Sequence, residues 1–530
     1  MGASRAGGEA LGRGPGSRRR PGAAAVTNAA SGLGRIGRHT LIYGVGVVLG
    51  RAVSFIMLPV YTRYLTPADY GTLQLLIMVL EVMSIVAGSR LGAGIFYYFH
   101  KADTDGDRQA VLSTAAFVLT ACYGTVALGT YLAAPHIAAI VFRSTTEAGL
   151  VRIAAGTLAT ESLLLVPFAY LQVRERSAFY VGVNAVKLVL QVGLNVLFLV
   201  GMGLGAAGVL WSSLITNTLV GTALTIYLFT RVGCRVSGRT VRDLVRFGLP
   251  FVATQVATFI MTFGDRYFLN KAGDAAVVGL YGLAYQFGFL LFALAWEPFN
   301  SIWEPARFAI ARRADRDELY ARVFVYFNVY LITLTVGIAL FAHDFLNLVA
   351  GPAFRSAGSL VPVILVAYVL QAWYGIHWLG IQMRERTEYI TFANGVGTVV
   401  ALVGYVALIP RWLGLGAALA TVAAFAVREW LTYRCSQRLW PIRYDWRPVV
   451  RLVGIASLAC CGGILLAPSA ALWQSLAWHA TWLLAYGVGT WFAVLSAQDR
   501  ASIARAAGSP LTLMAGLRGP LAQASTPEVG

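Results

Sequence analysis

An all-α, polytopic membrane fold is predicted by three observations. The chain is 58% hydrophobic and only 12% charged, its apolar residues fall in runs of about 20, and a set of short motifs recurs about 210 positions apart. That charged fraction is about half the usual value for a soluble domain, so no polar surface can be wrapped around the chain. A run of about 20 apolar residues crosses a hydrocarbon core roughly 30 Å thick as a helix, which satisfies its own backbone polar groups.

Apolar runs bounded by polar punctuation predict about 14 spans, at 39–64, 70–99, 109–133, 151–172, 178–200, 204–230, 243–269, 278–306, 319–342, 358–382, 389–409, 413–433, 449–467 and 473–495. With the N-terminus inside, the inside segments hold 29 Lys and Arg and the outside loops hold 5, namely Arg63, Arg143, Lys271, Arg355 and Arg411. This asymmetry predicts that both termini are cytoplasmic. It also accounts for the net charge of +18, which is spread over short loops and forms no basic reading domain, so no nucleic-acid partner is expected. Residues 1–37 and 498–530 are rich in small and basic residues and are expected to be disordered cytoplasmic tails. The five cysteines show no CxxC spacing and are expected to be packing residues.

The repeat is read from paired motifs. Leu171-Gln172-Val173-Arg174-Glu175-Arg176 matches Ile381-Gln382-Met383-Arg384-Glu385-Arg386, and Asn184 matches Asn394 at the same offset. Gly203 to Ala207 matches Gly414 to Ala418, Tyr70-Gly71 matches Tyr281-Gly282, and FIM followed by RY occurs at Phe55 to Tyr64 and at Phe259 to Tyr267. Motifs in the same order at nearly constant spacing indicate duplication. Six spans per copy, an even number, make the copies parallel, related by a pseudo-two-fold axis along the membrane normal. The expected organisation is a first lobe at 38–236, a second at 237–440 and two additional helices at 441–497, with a cleft between the lobes.

The stretch GVVLGRAVSFIMLPVYTRYLTPADYGTLQLL, residues 46–76, is similar to the opening signature of the polysaccharide biosynthesis transporters. These are the O-antigen and teichuronic-type flippases of the multidrug/oligosaccharidyl-lipid/polysaccharide (MOP) exporter superfamily. The resemblance implies two six-helix lobes around a V-shaped cavity that alternates between faces. It also implies a polyprenyl-diphosphate-linked oligosaccharide as cargo and a bacterial inner-membrane location. The partners it implies are the bilayer, H+ or Na+ as coupling ion, and polysaccharide polymerase machinery. Relatives often carry a basic residue beside the paired aromatics that end the second span. Phe96-Tyr97-Tyr98-Phe99 has none, and Arg90 stands two turns earlier.

Moving a diphosphate headgroup is an electrostatic task, because basic side chains in a wet cavity offset its lost hydration. Arg51, Arg90 and Lys187 fall deep in predicted spans, where a lipid-facing cation costs about 2.5–3.5 kcal/mol. They are candidate cavity residues; the alternative is that they pair with Glu81 and Glu161 in a dry interior. Arg152, Arg266, Arg322, Arg428 and Arg451 lie near predicted helix ends, where they can snorkel. Glu297, in Trp296-Glu297-Pro298, joins Glu81 and Glu161 as a candidate for coupling or gating, with ion pairing as the plain alternative, and Pro298 is expected to free a backbone carbonyl for water or a cation. Glu304 is expected to be an interfacial ion-pair residue and His377 a hydrogen-bonded packing residue, with a proton relay as the alternative for the histidine.

Under the 210-residue offset Glu161 meets Gln371 and Lys187 meets Gly397, so the interior is expected to draw its basic character mainly from the first lobe. No nucleophile elbow, P-loop or metal-ligand spacing occurs, and neither an enzyme nor a cofactor is expected. The rival readings are a cation-coupled multidrug and toxin extrusion antiporter on the same fold, and a membrane-embedded polysaccharide polymerase. The latter is disfavoured because the longest outside loop is only 134–150.

Overall fold

The computed structural model describes residues 55–88, 91–467, 471–497 and 500–501, which are helical with no strand among them. Helix α1 (Leu58–Tyr64) ends the first predicted span, whose earlier part lies outside the described residues. The second span is broken into α2 (Pro67–Val86) and α3 (Leu91–Lys101), and α4 (Asp105–Leu132), a short α5 (Ala134–Phe142), α6 (Ala148–Val173), α7 (Ser177–Val196, extended by a π segment to Gly201) and α8 (Gly205–Val232) follow. The second half opens with α9 (Gly238–Phe263) and α10 (Asp265–Ala272). Next come α11 (Ala275–Leu291), a π segment at Phe292–Trp296, α12 (Glu297–Ile310) and α13 (Arg316–Val349). A 3-10 segment at Pro352–Leu360 leads into α14 (Val361–His377) and α15 (Leu379–Met383), then α16 (Glu388–Leu439), α17 (Trp446–Leu465) and α18 (Leu472–Ala493).

Ten described helices are long and apolar enough to cross a membrane, or eleven if α9, bent by 46°, counts as one span. The chain is therefore a multi-pass membrane protein, although its helices do not divide one-to-one into the fourteen runs. α16 covers two of them, turning at Leu413 (φ 44°) with no polar loop to separate them. Exposed apolar side chains such as Leu128, Val189, Leu219, Val403 and Leu458 suit a hydrocarbon environment.

Both arginine turns recur in three dimensions. Glu175 and Glu385 each adopt φ 54°, the left-handed region that an L residue enters at a cost. In the first copy Arg176 N–H donates to the Leu171 carbonyl at 2.9 Å and Glu175 N–H to that of Gln172 at 3.0 Å; in the second Arg386 donates to Ile381 at 3.1 Å and Glu385 to Gln382 at 3.0 Å. Each is a Schellman end that satisfies the last carbonyls of its helix, with Glu where Gly is usual. Counting crossings puts both turns on one side of the protein, called here the turn face.

On the far face the copies meet through equivalent helices. α2 starts with a capping box: Thr66 N–H donates to Asp69 Oδ2 at 3.0 Å and Asp69 N–H to Thr66 Oγ1 at 3.1 Å, with Pro67 opening the helix. Asp274 caps α11 likewise, accepting from Val277 N–H at 3.0 Å. The two helices then cross so closely that a Cβ on Gly71 would lie 1.7 Å from the Ala275 carbonyl oxygen, and one on Gly279 2.0 Å from that of Pro67. Glycine is required at both positions because backbone meets backbone. Nearby, Asn270 Nδ2 of α10 donates to the Val141 carbonyl of α5 at 2.8 Å, beside a cavity of about 210 Å³ that Arg143 and Lys271 also line.

Contact at the turn face uses side chains instead. The Tyr97 ring stacks on Phe247 at 5.5 Å, and Tyr98 Oη donates to the Asp243 carbonyl at 3.2 Å, joining α3 to the start of α9. The aromatic quartet that ends the second span thus holds the second half of the chain.

Replacing Gly71 or Gly279 by Ala is expected to lower the thermal unfolding midpoint of the detergent-solubilised protein by several degrees. Gly129→Ala, where an added Cβ meets nothing within 4 Å, is expected to leave it unchanged or raise it.

Candidate functional site

Lys187 sits ten residues into α7, roughly 15 Å from the turn face at helical rise and so at mid-depth. Val186 and Val189 face outward, 62% and 68% exposed, which turns Lys187 into the lobe, where it is partly buried. There it lies within electrostatic reach of Glu161 on α6, which in turn is within reach of Glu81 on α2. Tyr123 of α4, fully buried and bonded to Ser84 at 2.9 Å, lies within reach of both carboxylates. Three of the sequence candidates thus converge inside the first lobe, yet among the described residues Lys187 and Glu161 form no ion pair within 4.0 Å. Arg51 and Arg90 lie outside the described residues.

A polar stripe continues from Lys187 along the same helical face at four-residue spacing. Gln191 Nε2 donates to Ser212 Oγ at 3.0 Å and Ser213 Oγ at 3.2 Å, while Asn195, bonded to Ser212, donates from Nδ2 to Tyr61 Oη at 2.9 Å. The spacing 187, 191, 195 was visible in the sequence, but uncharged amides in an apolar run are easily read as tolerated polarity.

Glu297 begins α12 directly after the π segment and is partly buried. The carbonyl expected to be freed by Pro298 for water or a cation has a protein partner: Tyr330 Oη on α13 donates to Leu294 O at 2.7 Å. Pro167 in α6 receives the same treatment, with Thr225 Oγ1 of α8 donating to Leu163 O at 3.0 Å. In a medium without water a neighbouring helix supplies the missing donor. Glu304 does pair at the helix end, with Arg307 Nη2 at 2.8 Å.

The second lobe corrects two expectations. Arg266 does not snorkel: it is fully buried, paired with Asp265 at 2.9 Å, bonded to the Thr262 carbonyl at 2.8 Å and set between Phe263 and Tyr285 at 4.8 and 4.7 Å. Tyr281 Oη donates to Asp265 Oδ2 at 2.5 Å. Arg428 is also buried, donating to Gln371 Oε1 and lying over Tyr374 at 4.2 Å and Phe425 at 4.5 Å. Arg152, Arg322 and Arg451 are exposed, as helix-end arginines should be.

The basic interior is therefore not confined to the first lobe. Gln371 is the repeat equivalent of Glu161, and Gly397 that of Lys187; a Cβ on Gly397 would meet Arg428 Cβ at 3.1 Å. Each lobe thus sets one cation toward this equivalent position, carried by the fifth helix in the first copy and the sixth in the second. The bare Gly397 lets the helix carrying Arg428 approach closely, with Arg428 Cβ and Met261 Sδ against it. Of the cysteines, Cys122, Cys435 and Cys460 are partly buried, while Cys234 and Cys461 are exposed and do not pack as expected.

A family model described as polysaccharide biosynthesis protein matches residues 60–358, more than half of the chain. The chain belongs to this family. Among solved structures, the lipid II flippase MurJ in an inward closed conformation matches with a TM-score of 0.68 at 9% identity, covering 85% of this chain and 97% of that one. An inward-facing multidrug resistance MATE family transporter of the MOP superfamily matches with a TM-score of 0.56 at 17% identity, covering 73% and 95%. Its outward-facing counterpart gives 0.54 at 15%, covering 76% and 95%. These identities establish a shared fold and leave the cargo open. No curated protein sequence matches the chain.

Two stability measurements check the buried chemistry. Tyr330→Phe is expected to cost about 1 kcal/mol in the wild-type background and close to nothing alongside Pro298→Ala, because the alanine introduced there supplies a backbone N–H for the freed carbonyl. Asp265→Asn, which leaves Arg266 unbalanced, is expected to cost about 3 kcal/mol, most of it recovered by adding Arg266→Met.

Proposed function

We propose that the protein flips a polyprenyl-diphosphate-linked oligosaccharide from the cytoplasmic to the outer leaflet of a bacterial inner membrane, by alternating access between its two lobes. Family membership sets the biological context, and the observation that carries the reading is Lys187. It is a mid-depth cation, turned inward, with a carboxylate within electrostatic reach and no contact ion pair among the described residues. A charge so placed can accept a diphosphate oxygen without first breaking a tight pair. Arg51 and Arg90 join it in this reading as headgroup contacts, while Glu81, Glu161 and Glu297 answer to the coupling ion. The turn face is cytoplasmic, in keeping with the arginine distribution, and the polymerase that consumes the flipped product is the expected functional partner.

A second reading rests on Glu81 and Glu161, two carboxylates within electrostatic reach of each other, as suits a cation-coupled drug antiporter. Reconstitution separates the two. In proteoliposomes the protein is expected to move a fluorescent polyprenyl-diphosphate oligosaccharide to the opposite leaflet. Lys187→Ala is expected to slow this roughly 10- to 100-fold, equivalent to losing one charge-assisted hydrogen bond, and Lys187→Arg to restore most of it. Undiminished flipping in Arg51→Ala with Lys187→Ala removes the cavity assignment, and drug efflux without lipid movement replaces the function.

A further inference from the structure

Two of the five Lys and Arg assigned to outside loops meet at one place. Arg143 follows α5 of the first lobe and Lys271 lies in the last turn of α10 of the second, and both line the far-face cavity of about 210 Å³. Both are exposed, and among the described residues neither forms an ion pair. Arg143 Nη1 reaches the Lys271 carbonyl only at 3.5 Å, the outer limit of a hydrogen bond, so most of its donor fork is open. The nearest acid in sequence, Asp274, caps α11.

Topology does not ask for this arrangement, because basic residues are kept away from outer loops. A helix C-terminus favours a cation and accounts for each residue alone, but not for their convergence from opposite lobes on one cavity. Two like charges around a small space repel each other unless an anion lies between them.

The chemistry of the lining selects the anion. A guanidinium fork matches a pair of phosphate oxygens, and an ammonium adds a point charge for a third. Tyr267 also lines the cavity, and its hydroxyl has no hydrogen-bond partner among the described residues, whereas the Asn270 amide is already given to the Val141 carbonyl. Pockets for drug-sized ligands run to about 300–1,000 Å³, so this one suits a headgroup rather than a glycan or a drug. Ile140, 63% exposed, gives the cavity an apolar edge, as an amphiphile requires.

We propose that this cavity binds the phosphate of an anionic lipid in the far-face leaflet, with Arg143 and Lys271 as its ligands. Asn270 already joins the lobes there, so a bound phosphate adds a second bridge between them and favours a closed far face. That consequence for flipping rests on the transport reading above; the binding site does not.

The test is native mass spectrometry of the full chain from phosphatidylcholine nanodiscs, with phosphatidylglycerol, polyprenyl diphosphate or inorganic diphosphate added in turn. One copy of an anionic lipid is expected to be retained in preference to phosphatidylcholine, and Arg143→Asn with Lys271→Gln to weaken its retention roughly 10-fold. Asparagine suits position 143 because φ there is 60°, and both side chains are exposed, so the variant is expected to fold. Arg355→Ala, at another exposed outside cation, is expected to change nothing. Whichever anionic lipid is held more tightly names the source, and either upholds the site. Retention undiminished in the double variant, or diminished equally by Arg355→Ala, overturns the proposal; inorganic diphosphate held as tightly as either lipid overturns the lipid assignment. Lipid binding together with absent flipping removes the transport reading and leaves the site standing.

Discussion

Hydrocarbon cannot solvate a backbone carbonyl or a charge, and most of the specific architecture of this chain answers that constraint. Both helix-interrupting prolines discussed here, Pro167 and Pro298, have a carbonyl four residues earlier that receives a hydroxyl from a neighbouring helix. Arg266 and Arg428 are surrounded by carboxylate, amide and aromatic faces rather than left to the lipid. Each satisfied group ties two helices together, so the cost of polarity inside the membrane becomes the glue of the lobes.

The two faces of the protein solve the contact problem differently. At the far face α2 and α11 interlock through glycines with almost no side chain between them, a contact that is either closed or broken. At the turn face Tyr97 and Tyr98 lie against the bent start of α9, where side-chain rotation can absorb movement. The seam is thus rigid at one end and adaptable at the other.

Fold class and duplication were legible in the sequence because lipid imposes length and apolarity on every crossing; the division into fourteen spans was less so, since α16 runs through two of them and the second is split between α2 and α3. The motif Thr66-Pro67-Ala68-Asp69-Tyr70-Gly71 was legible as a signature, but its content is structural: cap, first-turn proline, capping box, buried ring and glycine crossing. Lys187 lies within electrostatic reach of Glu161, and Glu161 of Glu81, because a charge at that depth is turned away from lipid; which groups it would meet there was left open between a cavity and these carboxylates. Arg266 and Arg428 were misjudged because distance from a helix end says nothing about which side of the helix faces protein. Glu429, which His377 contacts through Nδ1, escaped notice because it lies 52 residues away in sequence, and such a pair exists only once α14 and α16 are packed together. Asp265 was missed for a similar reason, since an acid beside an arginine at the edge of an apolar run reads as interfacial.

Gly397 carries a further consequence for descent. A Cβ at 397 would stand 3.0 Å from Met261 Sδ and 3.1 Å from Arg428 Cβ, so the second copy has no space for a side chain where the first carries Lys187, and its cation sits on the neighbouring helix instead. Any descendant that restored a side chain at 397 would have to move both of those neighbours, whatever the length of the residue at 428. The duplicated halves remember a common ancestor in their backbone and their separate histories in which helix holds the charge.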